Sequence, residues 1–184
     1  MSEDHQETRE EEVARVRSYL ASQSMRRAPL QLLETLQQAQ GECIAALNAF
    51  PEQDLYLTPS DGEWSAIDVL SHMRTMAAFD LAAIGSVLEK GEAPPAIQDI
   101  LEAAPAGATK TNLLHELTQL REQLFSLVQR VDPSAHLDIT WNHAEFGAMH
   151  WREWLLFARV HTLDHTRQLQ AISAILRQEG EREI

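Results

Sequence analysis

The segment HTLDHTRQ, residues 161–168, places two histidines four positions apart within a run of residues that favours a helix. A helix turns by about 100° per residue, so positions i and i+4 lie one above the other, with Cβ atoms roughly 6 Å apart. Two imidazoles at that distance can bind one metal ion. The spacing is equally compatible with two core-edge histidines that each hydrogen-bond to a neighbour, so the rest of the chain must decide.

The sequence around this segment predicts an all-α protein. The chain has 184 residues, 44% of them hydrophobic, with only seven glycines and seven prolines. This length and composition suit one domain with a substantial core. We expect residues 1–10 to form an acidic disordered tail and residues 11–180 to form the domain. Apolar residues at helical spacing predict a short charged helix over residues 11–24 and long helices over residues 29–50, 65–90, 109–131 and 151–178.

Two connections separate the long helices. Residues 91–108 contain three of the seven prolines and two glycines, so we expect a connection with at most a short piece of helix. It is long enough to cross a helical bundle. Residues 132–150 are predicted to form a second loop. Four long amphipathic helices joined in this way indicate a four-helix bundle with a short additional N-terminal helix.

A third histidine, His72, lies on the inward face of the second long helix. Its stripe is otherwise apolar and includes Val69, Met76, Phe79 and Ala83. The stripe through His161 and His165 is also inward-facing. Three imidazoles that point into a bundle are costly to bury unless each finds a partner, and one divalent ion satisfies all three. Three histidines also leave a coordination position open, which is typical of catalytic sites. The second inward stripe contains Trp154, Phe157, Ala158, Gln168 and Ile172.

The remaining histidines and the single cysteine give weaker signals. His115 shares its stripe with polar residues and is predicted to face solvent, while His5 belongs to the acidic tail. Cys43 lies on the apolar side of its helix, which indicates buried packing rather than a nucleophile. His143 could line a pocket mouth or be a polar loop residue; the same two interpretations apply to His136 and His150.

The order of these motifs resembles the DinB-like family of bacterial four-helix-bundle metalloproteins, which includes bacillithiol S-transferases and similar metal-dependent hydrolases. Family members show W-S before a helix with an early His, then H-x-x-F-G, then H-x-x-x-H-x-x-Q. In this chain these are Trp64-Ser65 with His72, residues 143–147, and His161 with His165 and Gln168. The similarity extends over residues 30–177. It implies an up-down-down-up bundle with a divalent metal held by His72, His161 and His165.

The resemblance also implies a chemistry. A metal with three neutral ligands can activate a water or a thiol at neutral pH. The family favours a low-molecular-weight thiol that attacks an electrophilic small molecule, and Met76, Phe79, Trp154 and Phe157 would line an apolar site for it. Gln168 lies on the ligand stripe, where it would contact a ligand imidazole or the substrate. For Asp164, a surface pair with Arg167 is the simpler expectation. The segment WNHAEFG, residues 141–147, either forms a wall of the substrate pocket through His143 and Phe146 or only caps the core.

Three functions remain compatible with the sequence. The protein is a metal-dependent thiol S-transferase or hydrolase, a non-catalytic stress-response protein that binds metal or ligand, or a helical interaction module, which leaves the inward histidines unexplained. The metal would be Zn, Ni or Fe. A net charge of −13 argues against nucleic-acid and anionic-membrane partners. The acidic N-terminus and the lack of long apolar runs predict a cytoplasmic protein. The apolar density over residues 151–157 exceeds one helix face and predicts a homodimer.

Overall fold

A computed structural model describes residues 7–95 and 103–182. Within these residues it contains five α-helices and one β-hairpin, which confirms the mainly helical four-helix bundle and its additional N-terminal helix. The bundle helices are the last four. In chain order the helices are α1 (Arg9–Arg26), α2 (Pro29–Asn48), α3 (Ala66–Gly85), α4 (Lys110–Val128) and α5 (Trp151–Arg182).

Helix α3 carries the first candidate ligand, and local sequence fixes where it begins and ends. The Ser65 hydroxyl accepts from the backbone N–H of Asp68, and the Asp68 carboxylate accepts from the backbone N–H of Ser65 at 3.0 Å. This reciprocal capping box satisfies donors that a helix start leaves open. At the other end a π-helical turn, Ser86–Lys90, leads into Gly91, whose φ of 68° lies in the left-handed region that favours glycine. The predicted start and end of this helix are confirmed.

Contacts between helices establish their directions. Going along α3, Arg74 pairs with Glu116 and Asp80 pairs with Arg121, so residue numbers rise together and α3 and α4 are parallel. Helix α3 is antiparallel to α5, because His72 meets His161 whereas Phe79, later in α3, meets Trp154, earlier in α5.

Helix α2 runs parallel to α5. The chain enters α2 beside the start of α5, where Arg152 donates to the carbonyl of Arg27, and Cys43 lies beside Thr166 further along both helices. The four bundle helices therefore follow an up-down-down-up order. Two parallel neighbours need a long connection between them, which explains the proline-rich segment before α4. Part of that segment, residues 96–102, lies outside the described residues.

The predicted second loop contains a β-hairpin, which the sequence interpretation missed. Strand β1 (Thr140–His143) pairs antiparallel with β2 (Gly147–His150), with Trp141 opposite Met149. Both of these side chains are buried, at 6% and 0% exposure. Gly147 has a φ of 69°, so the turn uses the conformational freedom expected of this glycine. The hairpin packs Trp141 and Met149 on the bundle.

Helix α1 covers part of α5 and corrects two expectations. It begins at Arg9, inside the expected tail, because Thr8 and Glu11 form a capping box. Residues 1–6 of that tail lie outside the described residues. The surface on which a homodimer was predicted is not exposed, so that reason for expecting a dimer is wrong, and the oligomeric state stays a prediction. The residues of that predicted dimer surface are all buried, with exposures of 9% or less: Trp151, Trp154, Leu155, Leu156 and Phe157.

The remaining sequence expectations on burial concern Cys43 and membrane insertion. Cys43 is 1% exposed and lies 3.4 Å from the sulfur of Met73, as predicted for a packing residue. Burial raises the pKa of its thiol to about 11, which opposes thiolate formation.

Among the described helices, none combines the length and the apolar character needed to cross a bilayer.

Candidate metal centre

The three predicted histidines meet at one point between α3 and α5. The Nε2 atom of His161 lies 3.2 Å from Nε2 of His72 and 3.0 Å from Nε2 of His165. One ring nitrogen from each residue lies within 4.8 Å of the other two. His72 is buried, and the other two histidines are partly buried. The antiparallel packing of α3 and α5 therefore converts two sequence motifs, 89 residues apart, into one cluster of imidazoles.

These distances fit a shared metal ion. Ligand nitrogens about 2.05 Å from a tetrahedral zinc ion are separated from one another by about 3.3 Å. The two measured Nε2 separations are within a few tenths of an ångström of that value. Hydrogen bonds cannot make each of the three nitrogens a donor to the other two, because two ring nitrogens that face each other can share only one proton. The donor set suits Zn, Ni or Fe, all of which accept imidazole nitrogen.

Gln168 fixes the orientation of one of these rings. Its Oε1 atom accepts a hydrogen bond of 2.8 Å from Nδ1 of His165. An amide oxygen can only accept, so Nδ1 carries the proton and Nε2 presents its lone pair to the cluster. A hydrogen bond from the second ring nitrogen is the usual way in which proteins orient a metal-ligating histidine. Gln168 thus occupies the position expected from the H-x-x-x-H-x-x-Q motif.

The surroundings of the cluster keep the imidazoles of His161 and His165 neutral. The pKa of His161 is lowered to about 2, mainly by burial and also by the neighbouring imidazoles of His165 and His72. Burial also lowers the pKa of His165, although the bond to Gln168 opposes this. A metal ligand must be unprotonated. The protein therefore holds these side chains in the protonation state that metal binding requires.

The histidines open into a cavity of about 770 Å³, here called the metal pocket. Met76 and Phe157 supply apolar lining as predicted, and Gln168 and His143 also line it. Phe157 contacts His161, with ring centroids 5.7 Å apart. The pocket therefore combines a polar centre with apolar walls, as small-molecule sites commonly do. Its other lining residues are Arg9, Trp64, Glu145, Asp164 and the three histidines.

Trp154 and Phe79 do not lie on the wall of this pocket, and the expectation that they line it is wrong. Trp154 is 1% exposed and stacks on Trp141 of the hairpin, with ring centroids 5.2 Å apart and planes at 4°. Its indole N–H also points to the carbonyl of Trp141, at 3.4 Å. Phe79 packs against Trp154. The inward stripe of α5 was identified correctly, but the hairpin covers the first turns of that stripe.

The hairpin turn lies beside both the metal pocket and the core. His143 lines the metal pocket and packs against Phe157 with ring centroids 4.7 Å apart. Its Nδ1 accepts from the backbone N–H groups of Glu145, at 3.1 Å, and Phe146, at 3.4 Å. The proton of the neutral ring is therefore on Nε2. Phe146 stacks on His143 and lines a neighbouring groove rather than the metal pocket.

The other histidines lie away from the cluster where the structure describes them. His115 and His136 are exposed, the first as predicted. His150 is partly buried beside Glu153 at the start of α5, with its Nε2 atom 3.6 Å from the carboxylate. His5 falls outside the described residues. Asp164 pairs with Arg167 at 3.1 Å on an exposed face, as expected.

Two site residues were not found by sequence reasoning. The Trp64 ring packs against His72 at a centroid distance of 5.1 Å and lies nearly parallel to His165 at 6.4 Å. Its place in the W-S motif was the available signal. Arg9 reaches the metal pocket from α1 and binds Glu145 of the hairpin turn. No local pattern could reveal this, because it depends on how α1 packs against α5.

Fold and site together define a four-helix-bundle protein with a three-histidine centre suited to a metal. The chain belongs to the DinB superfamily, whose family model matches residues 35–169. Comparison with curated protein sequences gave no match.

Two of the solved structures that match this chain are described as four-helix bundles. One is TT2238, a four-helix bundle protein, with 20% identity and a TM-score of 0.61 over 78% of this chain and 98% of that one. The other is YfiT from Bacillus subtilis, described as a probable metal-dependent hydrolase with an unusual four-helix bundle topology. It has 15% identity and a TM-score of 0.61, covering 83% of this chain and 87% of that one.

Proposed function

We propose that this protein is a metal-dependent enzyme that acts on small electrophilic substrates, as a thiol S-transferase or a hydrolase. The observation that carries the proposal is the convergence of three imidazoles, those of His72, His161 and His165, at the base of an open cavity. A divalent ion held by three neutral ligands keeps its full charge, so it lowers the pKa of a water or thiol that binds it. Zn, Ni and Fe are the candidate ions.

The chain's own residues prepare the site for such a reaction. Gln168 holds His165 in the tautomer that presents Nε2, and Trp64 packs against two of the three imidazoles. Met76 and Phe157 provide apolar walls that would exclude water from an electrophilic carbon. His143 holds a proton at Nε2 on the same cavity. These contacts favour an apolar, electrophilic substrate over a highly charged one.

The test is turnover by protein purified without a histidine tag. Conjugation of 1-chloro-2,4-dinitrobenzene with cysteine or glutathione tests thiol transfer, and hydrolysis of p-nitrophenyl esters tests the alternative reaction. We expect a rate that His72→Ala abolishes and that His115→Ala, a change at an exposed histidine, leaves intact. A rate that persists in His72→Ala would contradict the proposal. A fully loaded protein without turnover would favour the non-catalytic binding function.

The hairpin turn can be tested separately. His143→Asn removes the imidazole but keeps an acceptor for the backbone N–H groups of Glu145 and Phe146. If the turn forms a substrate wall, this variant should keep its metal and its melting temperature while turnover falls. If the turn only caps the core, Phe146→Ala should lower the melting temperature and His143→Asn should have no effect.

A further inference from the structure

A second cavity adjoins the metal pocket on the side of the N-terminal helix. It has a volume of about 780 Å³ and lies between α1, α5 and the hairpin turn; we call it the α1 groove. His143, Phe157 and His161 line both cavities. The two cavities are therefore adjacent at these residues.

The α1 groove is rich in arginine although the protein is acidic overall. Four arginines line it, against three carboxylates, in a chain with 15 basic and 28 acidic residues. Three of the four are paired with carboxylates, which neutralise them locally. The pairs are Arg9 with Glu12 and Glu145, Arg15 with Glu7, and Arg167 with Asp164.

The fourth arginine, Arg159, has a different partner. Its Nη1 atom donates to the hydroxyl of Tyr19 on α1, at 3.2 Å. Among the described residues no carboxylate lies within ion-pair distance of it, although it is only partly exposed. A guanidinium carries five N–H groups, and a phenol that accepts one bond keeps its own O–H to donate. Arg159 and Tyr19 together thus offer several donors and a positive charge.

Apolar residues separate this pair from the metal centre. Phe146 and Phe157 contact each other, with ring centroids 5.7 Å apart, and Val160 lies beside them on α5. Arg159 precedes His161 by two residues, which is a rise of about 3 Å and a rotation of about 200°, so the two side chains leave α5 on nearly opposite sides. A small acid can therefore place its carboxylate at Arg159 and its apolar body on Val160, which lines the groove between Arg159 and the two phenylalanines.

We propose that the α1 groove binds a small apolar acid, whose carboxylate accepts hydrogen bonds from Arg159 and Tyr19. A planar guanidinium matches a carboxylate in shape, and the pair is strengthened by charge. This inference concerns binding and does not depend on the proposed function. It also gives α1, whose role the sequence left open, a part in the site.

The test compares two probes of the same shape that differ in charge, 3-phenylpropionate and 3-phenylpropionamide. Their dissociation constants for the full-length protein are measured by titration calorimetry in a buffer free of carboxylates. We expect the acid to bind about tenfold more tightly than the amide, as expected for a charge-assisted hydrogen bond. Equal binding of the two probes by the unmodified protein would overturn the proposal, whatever the variants do.

Variants then assign the preference to Arg159. Arg159→Gln should remove it, and Tyr19→Phe should reduce it. Arg177→Gln changes an exposed arginine on the same helix and should leave it intact. Circular dichroism and metal content confirm that each variant is folded. A preference that survives in folded Arg159→Gln would overturn the assignment. If Arg159→Gln does not fold, Tyr19→Phe decides, and an undiminished preference there has the same meaning.

The same titration in His72→Ala distinguishes this proposal from the proposed function. If this variant loses its metal and the acid preference remains, the groove binds carboxylates independently of the metal. A protein that shows the preference but no turnover refutes the enzyme proposal and leaves the groove proposal standing. A protein that turns over substrate but binds acid and amide equally refutes the groove proposal and leaves the enzyme proposal standing.

Discussion

Replacing Gln168 by leucine removes the acceptor that orients His165 while keeping a side chain of similar size. The bond from His165 Nδ1 to Gln168 Oε1 is 2.8 Å long. Without it the ring can rotate and can place its proton on Nε2, which is the atom that faces the other histidines. Loss of such an orienting partner lowers metal affinity by about 10- to 100-fold. This corresponds to about 1.4–2.7 kcal/mol of binding free energy.

Competition with a chromophoric chelator measures this change, with zinc as the probe ion. Gln170→Leu is the matched control, since Gln170 is exposed two residues further along the same helix. We expect Gln168→Leu to lose affinity by the stated factor, and Gln170→Leu to bind zinc as the unmodified protein does. Unchanged zinc affinity in a folded Gln168→Leu protein would refute the argument that this amide sets the tautomer.

Two further predictions concern stability. Asp80 and Arg121 form a buried ion pair at 2.7 Å, with side chains 4% and 5% exposed. Asp80→Ala should cost about 3–5 kcal/mol in urea unfolding because it leaves a buried charge unpaired, whereas Asp164→Ala, at an exposed pair, should cost about 1 kcal/mol or less. Burial raises the pKa of Asp68, but hydrogen bonds from Ser65 and from the backbone N–H of residue 104 outweigh this and lower it. A carboxylate with a lowered folded-state pKa stabilises the protein above its unfolded-state value near 3.9. The stability advantage over Asp68→Asn should therefore be complete at pH 7 and disappear as the pH falls through the folded-state pKa; an advantage that is unchanged at pH 2 would contradict this.

The candidate centre could be predicted because its signals are periodic. His72, His161 and His165 each lie on an apolar helical stripe, and a helix fixes the face on which a residue lies. The capping box at Ser65 was visible for the same reason, since its donors and acceptors are three residues apart. These features depend on residues within a few turns of one another.

The features that sequence missed depend on tertiary packing. The strands of the hairpin are four residues each, too short for an alternating pattern to stand out from a polar loop. Trp154 was assigned to the pocket because it lies on the same inward stripe of α5 as His161 and His165. The position of the hairpin, however, determines which turns of that stripe remain accessible. Likewise, the apolar excess of α5 was interpreted as a dimer surface, whereas α1 and the hairpin cover it within one chain.

Metal stoichiometry in His72→Ala tests the central claim most directly. Protein purified without a tag and then dialysed against zinc is analysed for metal content per chain, beside His115→Ala as the control. The account predicts one ion per chain in the unmodified protein and in His115→Ala, and no stoichiometric zinc in folded His72→Ala, because α3 supplies only this one ligand. One zinc ion per chain in His72→Ala, held as tightly as in the unmodified protein, would contradict the three-histidine site.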